Sequence, residues 1–218
     1  MALRLHAVTV ADAQHPSAPL DRNTGSWAVP VLPTGLALVP FRDLCAVVSE
    51  QKAFVLDERG PEAVAEHRAV VDAVFRNGPV LPAPVGVVFR APDVLKRWME
   101  LHYVSLSDAL AFVEDRAVAR VHILRADGKD DELEAGSDLA AAATEALRAL
   151  RRKSVASLPL RLEAVTGLAL SASFLIEQDL WKEFIAGVDE QRDANHRLRF
   201  DVTGPWAPYD FVRMQFGG

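Results

Sequence analysis

A single cysteine, Cys45, stands in the 218 residues, so no disulfide can form within the chain and a reducing, cytosolic setting is expected. Long apolar runs are missing too: nowhere do about 18 apolar residues pass without a charge, and no membrane span is expected. The opening residues, Met1 to His6, lack the unbroken apolar core of a secretory signal. Basic residues are outnumbered, 24 Lys and Arg against 30 Asp and Glu, for a net charge of −6. Without a basic run, nucleic-acid binding by phosphate neutralisation is not expected.

Catalytic spacings are equally scarce. The six histidines, His6, His15, His67, His102, His122 and His196, form no HExxH, and one cysteine cannot form a CxxC. Neither a Walker-type GxxxxGK, a GxGxxG nor a GxSxG is present. The acidic stretch from Asp127 to Glu134 lacks the Asp-x-Asp-x-Asp-Gly spacing of a calcium loop and reads as a solvated turn. Glu66 and His67 are neighbours on a helix, where adjacent side chains point about 100° apart and do not share a site. No metal, cofactor or small-molecule substrate is expected, and no catalysis.

What is present is an ordinary globular composition, half hydrophobic and a quarter charged, long enough for one large domain or two small ones. Leu3, Leu5 and Ala7 alternate with Arg4 and His6, which predicts a strand with one wet face. A Pro- and Gly-bearing excursion from Ala11 to Pro33 follows, with Trp27 as its anchor. Two further extended runs, 35–39 and 44–49, place Cys45 in an apolar setting that suits inert packing. Pro61 opens a helix to about Arg76, with Val64, His67, Val70, Val71 and Val74 on one side and Asn77-Gly78-Pro79 as its stop. Pro82 and Pro84 confine 80–89 to an edge or bulged strand. A second helix from Pro92 carries the stripe Leu95, Trp98, His102, Leu106, Ala109 and Val113.

The pattern breaks around Glu114 to Arg116, where the domain boundary is placed. Beyond it the order reads β-α-β-α-β. A strand spans 117–124, then a helix capped by Ser137 runs through Arg152, then come a strand over 168–176, a helix around Leu180 to Val188, and a strand over 198–202. Arg148, Arg151, Arg152 and Lys153 gather where the dipole of the first of these helices favours cations. The same cluster is a candidate docking patch for an acidic partner. The elements predict an α+β class with two ferredoxin-like α/β sandwich domains, antiparallel or mixed sheets bearing helices on one face. The expected division is 1–115, 116–202 and an aromatic, Pro-rich tail over 203–218 that packs on a domain or a partner.

That tail, Thr203-Gly204-Pro205-Trp206-Ala207-Pro208-Tyr209-Asp210-Phe211, resembles the TGPWPPYSF-type signature of the gas vesicle synthesis proteins of the GvpL/GvpF family. Ala207 stands where the family usually has a second proline, and Asp210 where it often has serine. The resemblance extends over 44–49, Glu66-His67, Val80-Leu81-Pro82, Gly86 to Phe89 and Phe174 to Ile176. Where the family commonly reads Pro-x-Arg-Phe-Gly, this chain has Pro82-Ala83-Pro84-Val85-Gly86, so an arginine and an aromatic are missing.

The resemblance implies a two-domain α+β fold and an accessory, non-catalytic role in gas vesicle assembly, in the cytoplasm and at the vesicle. Its implied partners are the hydrophobic shell protein and other accessory proteins. Candidate partner-binding residues are Trp206, Tyr209, Phe211 and Trp27, with Arg151 and Arg152 from the basic cluster. The alternative is a small-molecule-binding or enzymatic ferredoxin-like protein, which requires His67, His102 and His122 to converge on one pocket.

Overall fold

In the computed structural model the described residues are 2–11, 35–51, 60–127, 138–160, 167–212, 214 and 216. They group into two compact units. The first comprises Met1–Asp115 together with Ala207–Gly218, the second Arg116–Trp206. The tail expected over 203–218 is therefore divided, four residues finishing the second unit and the rest belonging to the first.

The first unit is built on strands β1 (Ala2–Val10), β2 (Leu36–Phe41), β3 (Leu44–Gln51), β4 (Val80–Pro82) and β5 (Val88–Phe89). Their order is β2-β3-β1-β4, all antiparallel, with β5 also paired to β1. Pro82 and Pro84 lie along the edge that 80–89 adds to β1, where Ala83 N–H reaches the His6 carbonyl at 2.9 Å and Leu5 N–H the Val87 carbonyl at 2.9 Å. An edge is where a missing donor costs no ladder bond.

β1 does not have the wet face its alternation predicts. Its register on β3 slips between Leu5 and Ala7, leaving His6 as a bulge residue. The extra residue keeps Leu3, Leu5 and Val8 on one face and turns Ala7 to the other. Both faces are covered, so Arg4 and His6 are buried.

Helix α1 (Pro61–Phe75) covers the Ala7 face with Val70, Val71 and Val74. Val64, expected inside, faces outward. Helices α2 (Pro92–Leu101) and α3 (Tyr103–Val113) cover the Leu5 face with Leu95, Trp98, Met99, Leu106 and Leu110. The single helix predicted over this stretch is broken at His102, whose φ of −105° and ψ of 10° depart from helical values. The predicted stripe survives the break because both segments face the same core.

The second unit contains β6 (Arg116–Arg125), α4 (Asp138–Arg151), β7 (Ala156–Pro159), β8 (Leu168–Glu177), α5 (Trp181–Ala194) and β9 (Leu198–Trp206). Strand order β7-β8-β6-β9, all antiparallel, is the β-α-β-β-α-β ferredoxin-like arrangement. β7 is one strand more than the sequence pattern suggested. Alternation sends Ala119, Val121, Ile123, Ala172, Phe174, Ile176 and Phe200 to the face that α4 and α5 cover. There Phe174 and Phe184 meet with ring centroids 5.3 Å apart, each contributing about 2 to 3 kcal/mol through burial. Thus the fold is α+β with two antiparallel sheets.

Candidate functional site

The nine-residue tail signature is built into the fold. Strand β9 runs on to Trp206, at the sheet edge, and its register on β6 slips between Val118 and Arg120. That bulge admits the cis Gly204–Pro205 peptide at a position where proline removes no central ladder bond. Gly204 has φ +136°, and a Cβ there would lie 2.6 Å from the Val118 carbonyl oxygen and 2.8 Å from the Trp181 ring. Only glycine fits. Trp206 is half-buried, its indole N–H donating to Thr203 Oγ1 at 3.1 Å.

Past Trp206 the chain enters the first unit. Ala207, standing for the family's second proline, is buried among Val70, Val71 and Val74, with Tyr209 packed beside it. Phe211 N–H donates to the Pro208 carbonyl at 3.0 Å, closing a turn, and Val212, Met214 and Phe216 reach the core on the opposite face of the same sheet. Of the residues proposed from sequence, Trp206 thus belongs to the second unit, where it is half-buried, and Tyr209 and Phe211 are half-buried in the first. Trp27 lies outside the described residues. So do Ser137, the proposed helix cap, and the acidic turn after Asp127.

Arg151 and Arg152 are exposed at the end of α4, near the following Lys153, whose stem crosses Gly187 of α5 and whose Nζ is 3.9 Å from Glu190. Beside them Arg152, Val155, Glu177, Leu180 and Glu183 line a shallow hollow of about 260 Å³. Val155, Leu158 and Leu180 leave apolar surface exposed in this unit. Acidic and basic groups share the hollow, so it presents no single charge to a ligand.

Among the described residues, the most exposed large apolar side chains lie elsewhere. Leu101 is 73% and Val104 68% exposed, on either side of the break at His102, and Val94 and Phe112 are exposed on the same two helices. Sequence reasoning passed over them because it followed the inward stripe. The signal was there: with Leu95, Trp98, Leu106 and Val113 inward, Leu101 and Val104 have to point away. A clamp holds the break in place. Tyr103 Oη donates to Asp43 Oδ1 at 2.6 Å, and the Arg42 guanidinium lies 4.6 Å from the Tyr103 ring centre and 5.4 Å from that of Phe41. Arg42, at φ +55°, forms the β2–β3 turn.

Within the first unit, His67 and His102 do not converge. His67 is buried under α1 against His6, ring centroids 5.3 Å apart, while His6 Nε2 bonds Ser49 Oγ at 2.9 Å. His102 lies across the sheet beside Trp98, and His122, in the second unit, bonds Ser171 Oγ at 2.7 Å. Burial pushes His6 down to about 4, with His67 and Arg4 adding to it, and burial lowers His67 as well. Burial pushes the Cys45 thiol up to about 11, against nucleophilic use. Among the described residues, no group of three or more His, Cys, Asp or Glu is placed to hold a metal ion.

The model of the "Gas vesicle synthesis protein GvpL/GvpF" family matches residues 7–163 and 130–213. Gas vesicle protein F2 of Halobacterium salinarum is 30% identical over 183 residues, 82% of this chain and 81% of that protein. Gas vesicle protein F of Haloferax mediterranei is 28% identical over 188 residues, 82% of each. Among solved structures, gas vesicle protein GvpF from Anabaena sp. PCC7120 superposes with a TM-score of 0.74 at 14% identity, covering 100% of this chain and 98% of that one. The GvpF structure from Microcystis aeruginosa gives 0.71 at 13% identity, covering 98% and 99%. At such identities the structural likeness speaks for the fold.

Proposed function

Because the chain belongs to the gas vesicle synthesis protein GvpL/GvpF family, we propose that it is a non-catalytic assembly accessory, binding the hydrophobic vesicle shell protein or fellow accessory proteins in the cytoplasm and at the vesicle. The observation that carries this reading is the apolar surface at the α2–α3 break, headed by Leu101 and Val104. A shell subunit with apolar faces needs partners that cover them during assembly, and exposed aliphatic side chains on rigid helices suit that task. The clamp of Tyr103, Asp43 and Arg42 keeps these helices in place, which lowers the ordering cost of association. No described helix is long and apolar enough to cross a membrane.

Co-purification tests the reading. Full-length protein is expected to retain the shell protein, and a Leu101→Lys/Val104→Lys variant to lose at least about tenfold in retention. Both positions are exposed, so folding is spared. Retention at the full-length level in the double variant removes this surface from the proposal. Failure of the full-length chain to retain any vesicle protein, with vesicles forming normally in its absence, ends the functional reading itself. Truncation at 203 is a poorer probe, since it removes Ala207 and Tyr209 from the first unit's packing.

A further inference from the structure

Outward positions on α2 and α3 mirror one another about the break between the two helices. Counting away from His102 and Tyr103, Leu101 and Val104 stand one residue out, Arg97 and Asp108 five, and Val94 and Ala111 eight. All six residues are exposed. At about 100° per residue they fall within one stripe about 100° wide, since the pattern stays in phase across the break. Arg97 and Asp108 lie about 16 Å apart along the helices, too far to pair within one chain. Among the described residues neither enters a salt bridge. The stripe thus has an apolar centre, a cation towards one end and an anion towards the other. The clamp of Tyr103, Asp43 and Arg42 fixes the break, so this order is presented preformed.

We propose that this stripe pairs with the same stripe of a second copy, the helices running antiparallel about a two-fold axis at the break. Such an axis sets Leu101 of one copy against Val104 of the other, Arg97 against Asp108 and Val94 against Ala111, each contact being made twice. Charge complementarity selects this occupant, because the cation and the anion lie equally far from the axis and each meets its opposite on the other copy. Glu100, at the margin of the stripe, falls opposite the neutral Ser105, so no like charges are opposed. A parallel pairing would instead set Arg97 against Arg97 and Asp108 against Asp108. Two short helices make a small interface, with a dissociation constant on the order of 100 µM. Pairing covers Leu101 and Val104, so where the shell-binding reading holds, the two associations exclude each other. Self-association is measured on the protein alone, and its outcome is independent of that reading.

Sedimentation of the unmodified chain between about 10 µM and 1 mM is expected to show dimer rising to about half near 100 µM. Arg97→Glu sets carboxylates face to face at both charged contacts, and Asp108→Arg sets guanidinium groups face to face. Each variant alone is expected to dimerise at least about tenfold more weakly. An equimolar mixture of the two is expected to recover the dimer, since each chain then meets the opposite charge at both contacts. Arg97→Glu/Asp108→Arg on one chain is expected to recover it too, with the charges exchanged. Recovery requires folded chains, so it separates lost pairing from lost fold. Monomer throughout the range, or a dimer that either single change leaves unweakened, overturns the proposal. Absence of recovery in either the mixture or the double variant overturns it as well.

Discussion

The two units solve the same problem, covering an antiparallel sheet, in different ways. In the second, one uninterrupted stretch from Arg116 to Trp206 supplies four strands and the two helices on one face. In the first, α1 lies on one face and α2–α3 on the other, and both coverings include side chains from beyond residue 206. A sheet covered on both sides has to bury whatever its strands bear. β1 consequently holds Arg4, His6 and Thr9 inside, whereas among the described residues of the second unit the buried polar ones are Ser171 and Ser173. The first unit thus combines the more demanding buried chemistry with a covering that arrives from elsewhere in the sequence. The second unit depends on close backbone fit at its closing strand.

The largest effect expected from this contrast is at that strand. Gly204→Val sets a branched side chain at φ +136° against the Val118 carbonyl and the Trp181 ring, costing about 4 kcal/mol. Hydrogen exchange is expected to register the loss first in β6 and β9 amides, with those of β1 and β3 retaining more protection. Equal loss in both units breaks the comparison, because the backbone fit at Gly204 is then not particular to the second.

What could be read in advance follows the same division. The alternation of Leu168 to Ile176 and the spacing of Leu139, Ala143, Ala146 and Leu150 announced the β8 strand and the α4 helix. β7 was missed because Ala156-Ser157-Leu158-Pro159 is short, mostly polar and ends in proline. The slip at His6 was not legible at all: Leu3, Leu5 and Ala7 alternate equally well without a bulge, and only pairing with β3 reveals it. The break at His102 was hidden by a stripe that stays in phase across it. The tail signature reads as an aromatic, Pro-rich segment that packs on a domain or a partner; its first four residues instead continue β9 as a bulged edge strand, and Ala207 and Tyr209 pack in the first unit.

The next effect concerns the first unit's buried imidazoles. His6 sits near 4 in the folded chain against an ordinary 6.5, because burial disfavours its charged form and His67 and Arg4 add positive charge. Glu66, 3.8 Å from Arg4 and itself largely exposed, is the acidic group facing the cluster from α1. A base depressed on folding leaves stability intact above 6.5 and removes it as pH falls from 6.5 to about 4. That difference amounts to roughly 3 kcal/mol for His6 alone. Exchange protection of α1 amides is expected to drop over this window, while that of α4 amides drops less. A His6→Phe/His67→Phe variant keeps an aromatic ring at each position without a titrating group, and its α1 protection should vary much less between pH 7 and 4.5. An undiminished pH dependence in that variant would assign the acid response to other groups and take away this difference between the units.

The smallest effect sharpens the comparison at one helix end. α1 starts with Gly60 in an extended N-cap conformation, φ −61° and ψ 158°, with no side chain bonded to the free N–H groups of the first turn. A Cβ there meets nothing within 4 Å. Gly60→Ser therefore adds a hydroxyl where helix N-termini accept one and removes chain freedom from the unfolded state, for a gain of a few tenths of a kcal/mol. Pro61 keeps its place at the first helical position. The gain should be visible as slower exchange in the first turn of α1 and a rise in denaturation midpoint of the first unit alone. If α4 amides respond as strongly as those of α1, the two units share a single cooperative transition, and the contrast between them belongs to their architecture rather than to their stability.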